Sequence, residues 1–205
     1  MKNLAKSCFL LFGIYLATCY GMPLAHAVGI GEAAPDFTLA DSAGKKHSLS
    51  QYKGKFVVLE WFNEGCPYVK KHYESNNMQK LQKDYGAKGI VWLSIISSAP
   101  GKQGYSTAEQ VNAKRGEWKI ASQSTLLDPQ GQVGKLYGAK TTPHLFIADP
   151  KGTLIYMGAI DDKATSDVAD LKTAKNYVAA ALDQAMSGKT VAEAATVPYG
   201  CSVKY

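Results

Sequence analysis

Two runs of β-branched and aromatic residues, Phe56 to Phe62 (FVVLEWF) and Ile90 to Ile96 (IVWLSII), flank a stretch with helical period. Between Pro67 and Tyr85, the residues Val69, Tyr73, Met78, Leu81 and Tyr85 recur near every three to four positions, and Gly86 follows as a stop. Each apolar run is short enough for a buried strand. A strand, a helix and a strand within about 40 residues make a βαβ unit, so the two strands are expected to be parallel neighbours in one sheet.

The remaining pattern builds around that unit. Asp36 to Ala40 alternates as a short strand, Asp41 to Lys46 reads as a turn, and His47 to Leu49 as the return strand of a hairpin. After a loop from Ser97 to Tyr105, Ser106 to Trp118 is expected to be an inserted helix capped by Ser106 or Thr107. Ser124 to Leu127 reads as a strand, and Gly131 to Tyr137 as a short helix ending at Gly138. His144 to Ala148 and Thr153 to Met157 are strands joined by the turn Asp149-Pro150-Lys151-Gly152. Asp167 to Met186 reads as one long, Ala-rich helix, and Thr190 to Tyr205 as a tail with little periodicity. The expected class is α/β: a central mixed sheet flanked by helices, with an N-terminal hairpin, a central insertion and a C-terminal tail.

The first 27 residues stand apart. Lys2 and Lys6 precede the apolar run Cys8 to Thr18, and Ala25-His26-Ala27 is a small-x-small cleavage site. This is the pattern of a secretory signal peptide, and the run is shorter than the roughly 20 residues that span a bilayer. A membrane anchor and a lipoprotein signal at Cys19 rank below simple cleavage after Ala27. The expected division is therefore 1–27 signal peptide, 28–189 folded domain and 190–205 tail, with a periplasmic or secreted location and no stable membrane insertion after cleavage. Cleavage leaves two of the four cysteines, Cys66 and Cys201, in a compartment where disulfides persist. It also lowers the net charge from +6 to +4. Arg115 is the only arginine among 23 basic residues. Arginine is the favoured residue for bidentate reading of phosphates and base edges, so nucleic acid is not an expected partner.

Cys66 sits where the first strand gives way to the helix, with Pro67 next in line. Proline suits the first helical position, where an N–H has no intrahelical partner. Free N–H groups and partial positive charge at a helix N-terminus stabilise a thiolate and lower its pKa. Lys70, Lys71 and His72 lie within the first two turns and add to that effect, while Glu64 opposes it. The alternative is a small buried cysteine packing as a hydrophobe. His47, His72 and His144 are scattered, and His144 is expected to begin a strand with a wet side chain. No spacing of histidine and cysteine suggests a metal site. Trp61, Phe62 and Trp92 read mostly as core, and Tyr68 lies one turn from Cys66.

Trp61 to Lys70 (WFNEGCPYVK) resembles the active-site segment of thioredoxin-fold proteins, with Cys66 in the place of the nucleophilic cysteine. Thr142-Pro143 resembles the Thr–cis-Pro loop that faces that cysteine. Ala34 to Leu39 (APDFTL) and Gly54 to Leu59 (GKFVVL) are similar to the opening of redoxin domains of the alkyl hydroperoxide reductase/thiol-specific antioxidant type. Gly65 to Lys70, Gly158 to Asp162 (GAIDD) and the ending Gly200 to Tyr205 (GCSVKY) are similar to a peroxiredoxin-like subgroup, and the resemblance runs from about Gly31 to Tyr205. It implies a thioredoxin-like fold, a cis bond before Pro143 and no cofactor. The substrate-binding residues it implies are Thr142, Pro143, Tyr68 and Trp61, and the thiolate-tuning residues are Pro67 and Lys70.

The departures from the family pattern are specific. The position three after Cys66, a second cysteine in thioredoxins, is Val69. The Pro and Thr or Ser that precede a peroxiredoxin cysteine are Leu59 and Asn63 here, and Arg115 falls in the inserted helix rather than beside the thiol. The expected function is an exported thiol–disulfide oxidoreductase in which Cys66 attacks and Cys201 resolves. Its partners would be a thiol or disulfide protein, or peroxide in the alternative of a thiol peroxidase. A non-catalytic binding module is the further alternative that Val69 favours. For Cys201 a permanent structural disulfide and a free or intermolecular thiol also stay open, as does the oligomeric state.

Overall fold

A computed structural model describes residues 27–205; the leader pattern, with Cys8 and Cys19, lies outside the described residues. The chain enters β1 (Thr38–Asp41) and β2 (Lys46–Ser48), then a 3₁₀ turn at Leu49–Tyr52 and β3 (Val57–Trp61). Helices α1 (Pro67–Glu74) and α2 (Asn77–Ala87) lead to β4 (Val91–Ile96). Helix α3 (Ala108–Glu117) leads to β5 (Ser124–Leu127), and α4 (Gln132–Tyr137) to β6 (Thr141–Thr142) and β7 (His144–Ala148). Then follow β8 (Leu154–Gly158), a 3₁₀ turn at Val168–Lys172, α5 (Tyr177–Met186) and β9 (Cys201–Ser202).

Seven strands form one mixed sheet in the order β2-β1-β5-β4-β3-β7-β8. The expected parallel pair is present, with Val57 opposite Val91 and Trp61 opposite Ile95. Strand β5 is parallel to β4, so α3 is the crossover helix of a second βαβ unit rather than a free insertion. Thr107 caps α3 through a capping box with Gln110. Strand β7 runs antiparallel to β3 and to β8.

Successive residues of β3 face opposite sides of the sheet. Val58 and Phe62 join Cys66, Val69, Tyr73, Met78, Trp92, Val178 and Leu182 in the core under α1, α2 and α5. Val57, Leu59 and Trp61 join Leu93, Leu126, Val133, Tyr137 and Phe146 on the other face. This alternation puts Cys66 and Trp61 on different sides of the sheet.

Three expectations are corrected. The single helix expected over 67–85 is two helices. Ser75 closes α1 by donating its hydroxyl to the Lys71 and His72 carbonyls, and Asn76 takes a left-handed conformation at φ 60°. Apolar spacing continues across that break, so periodicity alone does not reveal it. The long helix expected from Asp167 starts only at Tyr177, capped by Asn176. Residues 168–172 bury no side chain and form a 3₁₀ turn capped by Asp167. The tail is also not featureless, because β9 pairs with β6.

Candidate active site

Cys66 ends the loop after β3 and is the N-cap of α1, with extended backbone at φ −84° and ψ 123° and Pro67 at the first helical position. Asn63 braces the loop from within: its side-chain carbonyl accepts the Gly65 N–H at 2.9 Å, and its backbone carbonyl accepts the Cys66 N–H at 3.1 Å. Gln103, from the segment after β4, accepts from the Asn63 amide at 3.0 Å. A Cβ at position 65 would lie 2.5 Å from the Gln103 side-chain amide, which would have to move to make room for it.

Cys66 has 0% of its surface exposed. Its thiol donates to the Thr142 carbonyl at 3.0 Å. The Thr142–Pro143 bond is cis. Thr142 stands opposite Cys201 in the antiparallel β6–β9 pair, and its hydroxyl donates to the Cys201 carbonyl at 3.4 Å. Both cysteines are free thiols, and they are close enough for each to shift the other's titration. Gly200 makes this approach feasible. Its φ is 133°, and a Cβ there would fall well inside contact distance of the Thr142 carbonyl oxygen.

The two thiols are electrostatically unequal. Burial pushes the Cys66 pKa up. Hydrogen bonding from the Cys201 thiol and from the Val69 and Cys201 N–H groups outweighs that, and the thiol lies below its ordinary value of 9.0. Cys201 goes the other way: burial raises it, the neighbouring Cys66 raises it further, and it reaches about 12. Negative charge therefore settles on Cys66 while Cys201 keeps its proton and donates it. Such an asymmetry suits one nucleophile and one thiol waiting to attack.

Several predicted neighbours sit elsewhere. Trp61 is fully buried in the opposite core, where its indole N–H donates to Ser97 Oγ at 3.0 Å and its ring packs on Phe146 and Tyr137. It has no place in a pocket beside Cys66. Lys70 is exposed. Lys71 is buried and donates to the Lys163 carbonyl at 2.8 Å, with its ammonium 3.6 Å from Asp161. The thiolate is thus held by hydrogen-bond donors rather than by lysine charge. Tyr68 packs edge-on against Tyr199, ring centres 5.8 Å apart. His144 is buried, not wet: its Nδ1 accepts the Lys140 N–H at 3.2 Å, and burial with the Lys140 charge lowers its pKa to about 3. Arg115 donates to Ser122 Oγ, the Ser122 carbonyl and Thr125 Oγ1, so its guanidinium braces β5. Among the described residues no cluster of three or more His, Cys, Asp or Glu side chains forms a metal site.

Sequence reasoning missed the residues that hold the tail. Tyr199 donates to Asp161 Oδ1 at 2.5 Å, and Asp161 is buried. Tyr205 donates to the Ala139 carbonyl at 2.7 Å. The available signal was spacing: each tyrosine lies within four positions of Cys201. Glu60 was also missed, although an acid inside FVVLEWF stands out. It is fully buried on the Cys66 side of the sheet and accepts from Tyr73, Gln82, Trp92 and Ser94.

Known proteins resemble this chain in sequence and in fold. Thioredoxin-like protein YneN of Bacillus subtilis is 32% identical over 148 residues, covering 70% of this chain and 82% of YneN. Thiol-disulfide oxidoreductase ResA of Geobacillus thermodenitrificans is 29% identical over 126 residues, covering 62% of this chain and 67% of ResA. An uncharacterized conserved protein from Geobacillus kaustophilus superposes with a TM-score of 0.74 at 26% identity, covering 86% of this chain and 92% of its own. The thioredoxin domain of a thiol-disulfide oxidoreductase from Bacteroides vulgatus shares the fold, with a TM-score of 0.51 at 22% identity over 71% of this chain and 96% of that domain. The fold is therefore thioredoxin-like. The AhpC/TSA family model matches residues 30–157, a stretch that holds the Cys66 junction and the Pro143 loop together, and the chain belongs to that family.

Proposed function

We propose that this protein is an exported thiol–disulfide oxidoreductase in which Cys66 is the nucleophile and Cys201 the resolving thiol. The observation that carries the reading is that Thr142 pairs with Cys201 across β6–β9 while its carbonyl accepts the Cys66 thiol, which brings the two cysteines together at one residue. The names of ResA and YneN support the reaction class. Export rests on the leader pattern of residues 1–27; no helix among the described residues is long and apolar enough to cross a membrane.

The Cys66 thiolate attacks one sulfur of a partner disulfide, forming a mixed disulfide and expelling the other partner sulfur as a thiolate. Cys201 then loses its proton and attacks Cys66 Sγ, expelling the partner's remaining sulfur. The partner disulfide becomes two thiols, and the protein dithiol becomes a Cys66–Cys201 disulfide. In the opposite direction a dithiol partner reduces that disulfide and is itself oxidised. Thr142 and Pro143 hold the backbone against which the reacting sulfur lies. Pro67 leaves the helix start open to Cys66, and Tyr68 forms the rim through its contact with Tyr199.

Incubation of the reduced protein with a disulfide-bonded test protein, followed by mass measurement after acid quench, tests this. The wild type should accumulate an internal disulfide, Cys201→Ser a mixed disulfide at Cys66, and Cys66→Ser neither. Equal oxidation of Cys66→Ser and wild type would overturn the reading.

One observation favours a second reading, a thiol peroxidase. Cys66 is closed from bulk solvent, which admits a small oxidant more easily than a protein disulfide. Hydrogen peroxide would convert the thiolate to sulfenic acid with release of hydroxide, and Cys201 would displace that oxygen as water. Arg115 is committed to β5 and lends the thiolate no charge. Peroxide consumption by the wild type no faster than by a free thiol removes this reading.

A further inference from the structure

The segment that carries Cys201 is pinned on both sides of the cysteine. On the near side, Tyr199 reaches the buried Asp161 carboxylate at 2.5 Å and lays its ring against Tyr68. On the far side, the Tyr205 ring lies in a cradle made by two glycines of the α4 turn. A Cβ at Gly134 would lie 2.5 Å from Tyr205 Cε1, and one at Gly131 would meet the same ring more closely still. The Tyr205 hydroxyl donates to the Ala139 carbonyl at 2.7 Å, and the Lys135 ammonium stands 5.5 Å from the ring centre. Between the two anchors the backbone is tied by Val203 N–H to the Lys140 carbonyl at 3.0 Å and by Ala99 N–H to the Lys204 carbonyl at 2.8 Å. β9 itself is only two residues long and pairs with a two-residue strand. So short a ladder does not hold a segment in place by itself.

We propose that Tyr199 and Tyr205 are positioning residues for the Cys66–Cys201 pair. They hold the Cys201 thiol on Cys66 and close the nucleophile from large partners until the segment lifts. This rests on the reading of Cys201 as the resolving thiol. Two consequences follow from one geometry. Pinning raises the effective concentration of Cys201 at Cys66, which favours the internal disulfide over a mixed one. Pinning also makes the same segment a cover, so a protein disulfide meets Cys66 only after the Tyr205 ring leaves its cradle.

Equilibration in glutathione buffers tests the first consequence. Oxidised glutathione is the oxidant, and two protein thiols become one disulfide as it is reduced to two glutathione thiols. Tyr205→Ala should lower the equilibrium constant for the internal disulfide at least tenfold and raise the share of glutathione adduct on Cys66. Tyr205→Phe, which keeps the ring, should stay within about threefold of wild type. Gly134→Ala fills the cradle from the other side and should match Tyr205→Ala, and the double variant should lose no more than either single one. Tyr199→Phe, which keeps the ring and loses the Asp161 bond, should shift the constant in the same direction. Far-ultraviolet circular dichroism confirms that each variant is folded.

The second consequence is read in the Cys201→Ser background. A bulky polymer-linked maleimide should label Cys66 much more slowly than iodoacetamide does. Adding Tyr205→Ala should speed the bulky reagent at least tenfold while moving the small one less. Folded Tyr205→Ala and Gly134→Ala proteins with wild-type glutathione constants would overturn the positioning role while leaving the exchange reading intact. A wild type that forms only adducts, never the internal disulfide, takes both down.

Discussion

Thr142 and Cys201 stand directly opposite each other in the β6–β9 pair, and the Thr142 carbonyl also accepts the proton of the Cys66 thiol. One residue thus registers the two cysteines that lie 135 positions apart in the chain. The distance in sequence is closed by a short strand pair rather than by packing of whole elements.

The donor relationship makes Cys201 part of what keeps Cys66 acidic. Cys201→Ala removes a hydrogen bond to the thiolate, and the Cys66 pKa should rise toward the ordinary thiol value; Cys201→Ser, which still donates, should rise less. Ultraviolet thiolate absorbance against pH reads both. The sign for stability follows from linkage: a thiol whose folded pKa lies below its unfolded value stabilises the reduced fold above the unfolded pKa near 9 and loses that contribution as pH falls through the lower folded value. Cys201, raised to about 12, does the reverse and loses its contribution as pH climbs from near 9 through about 12.

Gly200 is a backbone requirement rather than a spacer. Gly200→Ala places a methyl against the Thr142 carbonyl at a φ of 133°, a region that side chains with a Cβ rarely enter. Strain of this kind costs about 1–3 kcal/mol, roughly the scale of what a two-residue ladder and its anchors supply. The segment should therefore detach while the sheet stays folded. Limited proteolysis should cut near residue 200 in the variant and not in the wild type, with a fall of only a few degrees in melting temperature.

The sheet, its parallel centre and the strand–Cys–helix junction were legible in the sequence because each depends on local pattern. Val58 and Phe62 alternate with Val57, Leu59 and Trp61, and Pro67 marks the helix start. The helix break at Asn76 was not legible, because Met78, Leu81 and Tyr85 keep an apolar face in phase across it. The separate faces of Trp61 and Cys66 follow from strand period once β3 is located, yet family resemblance placed Trp61 in the pocket. The anchors at Asp161, Ala139 and Gly134 are contacts between segments far apart in the chain, and no local pattern encodes them.

Glu60 carries a pH dependence of its own. Burial raises its pKa above 4.5 against the pull of four hydrogen-bond donors. A carboxyl whose folded pKa is raised stabilises the fold while protonated, below the unfolded value, and that contribution is lost as pH rises through the folded pKa. Urea denaturation across mildly acidic to neutral pH should show the wild type losing stability relative to Glu60→Gln as pH increases. Glu60→Leu leaves the Tyr73, Trp92, Gln82 and Ser94 donors without their acceptor and should cost at least about 3 kcal/mol.

The buried Lys71–Asp161 pair lets charge be separated from packing. Both side chains are almost fully buried, and Asp161 Oδ2 has the Lys71 ammonium at 3.6 Å and His72 Nε2 at 3.8 Å but no hydrogen bond within reach. Burial and the Lys71 charge push the His72 pKa down to about 3, so His72 is neutral at ordinary pH and Lys71 supplies the compensating charge. Asp161→Leu leaves that ammonium with the Lys163 carbonyl and the face of the Tyr199 ring, 5.6 Å from its centre, and removes the carboxylate that accepts the Tyr199 hydroxyl. The cost should be about 3–5 kcal/mol. Lys71→Met leaves the carboxylate without a buried cation, though still hydrogen-bonded by the Tyr199 hydroxyl and the Lys163 N–H, and should cost a similar amount. If the charge is what matters, the Lys71→Met/Asp161→Leu protein should be more stable than either single variant, because it buries no unpaired ion. Chemical denaturation of the four proteins reads the cycle directly. A double variant that loses the sum of the two single losses would mean that shape, not charge compensation, holds this corner together.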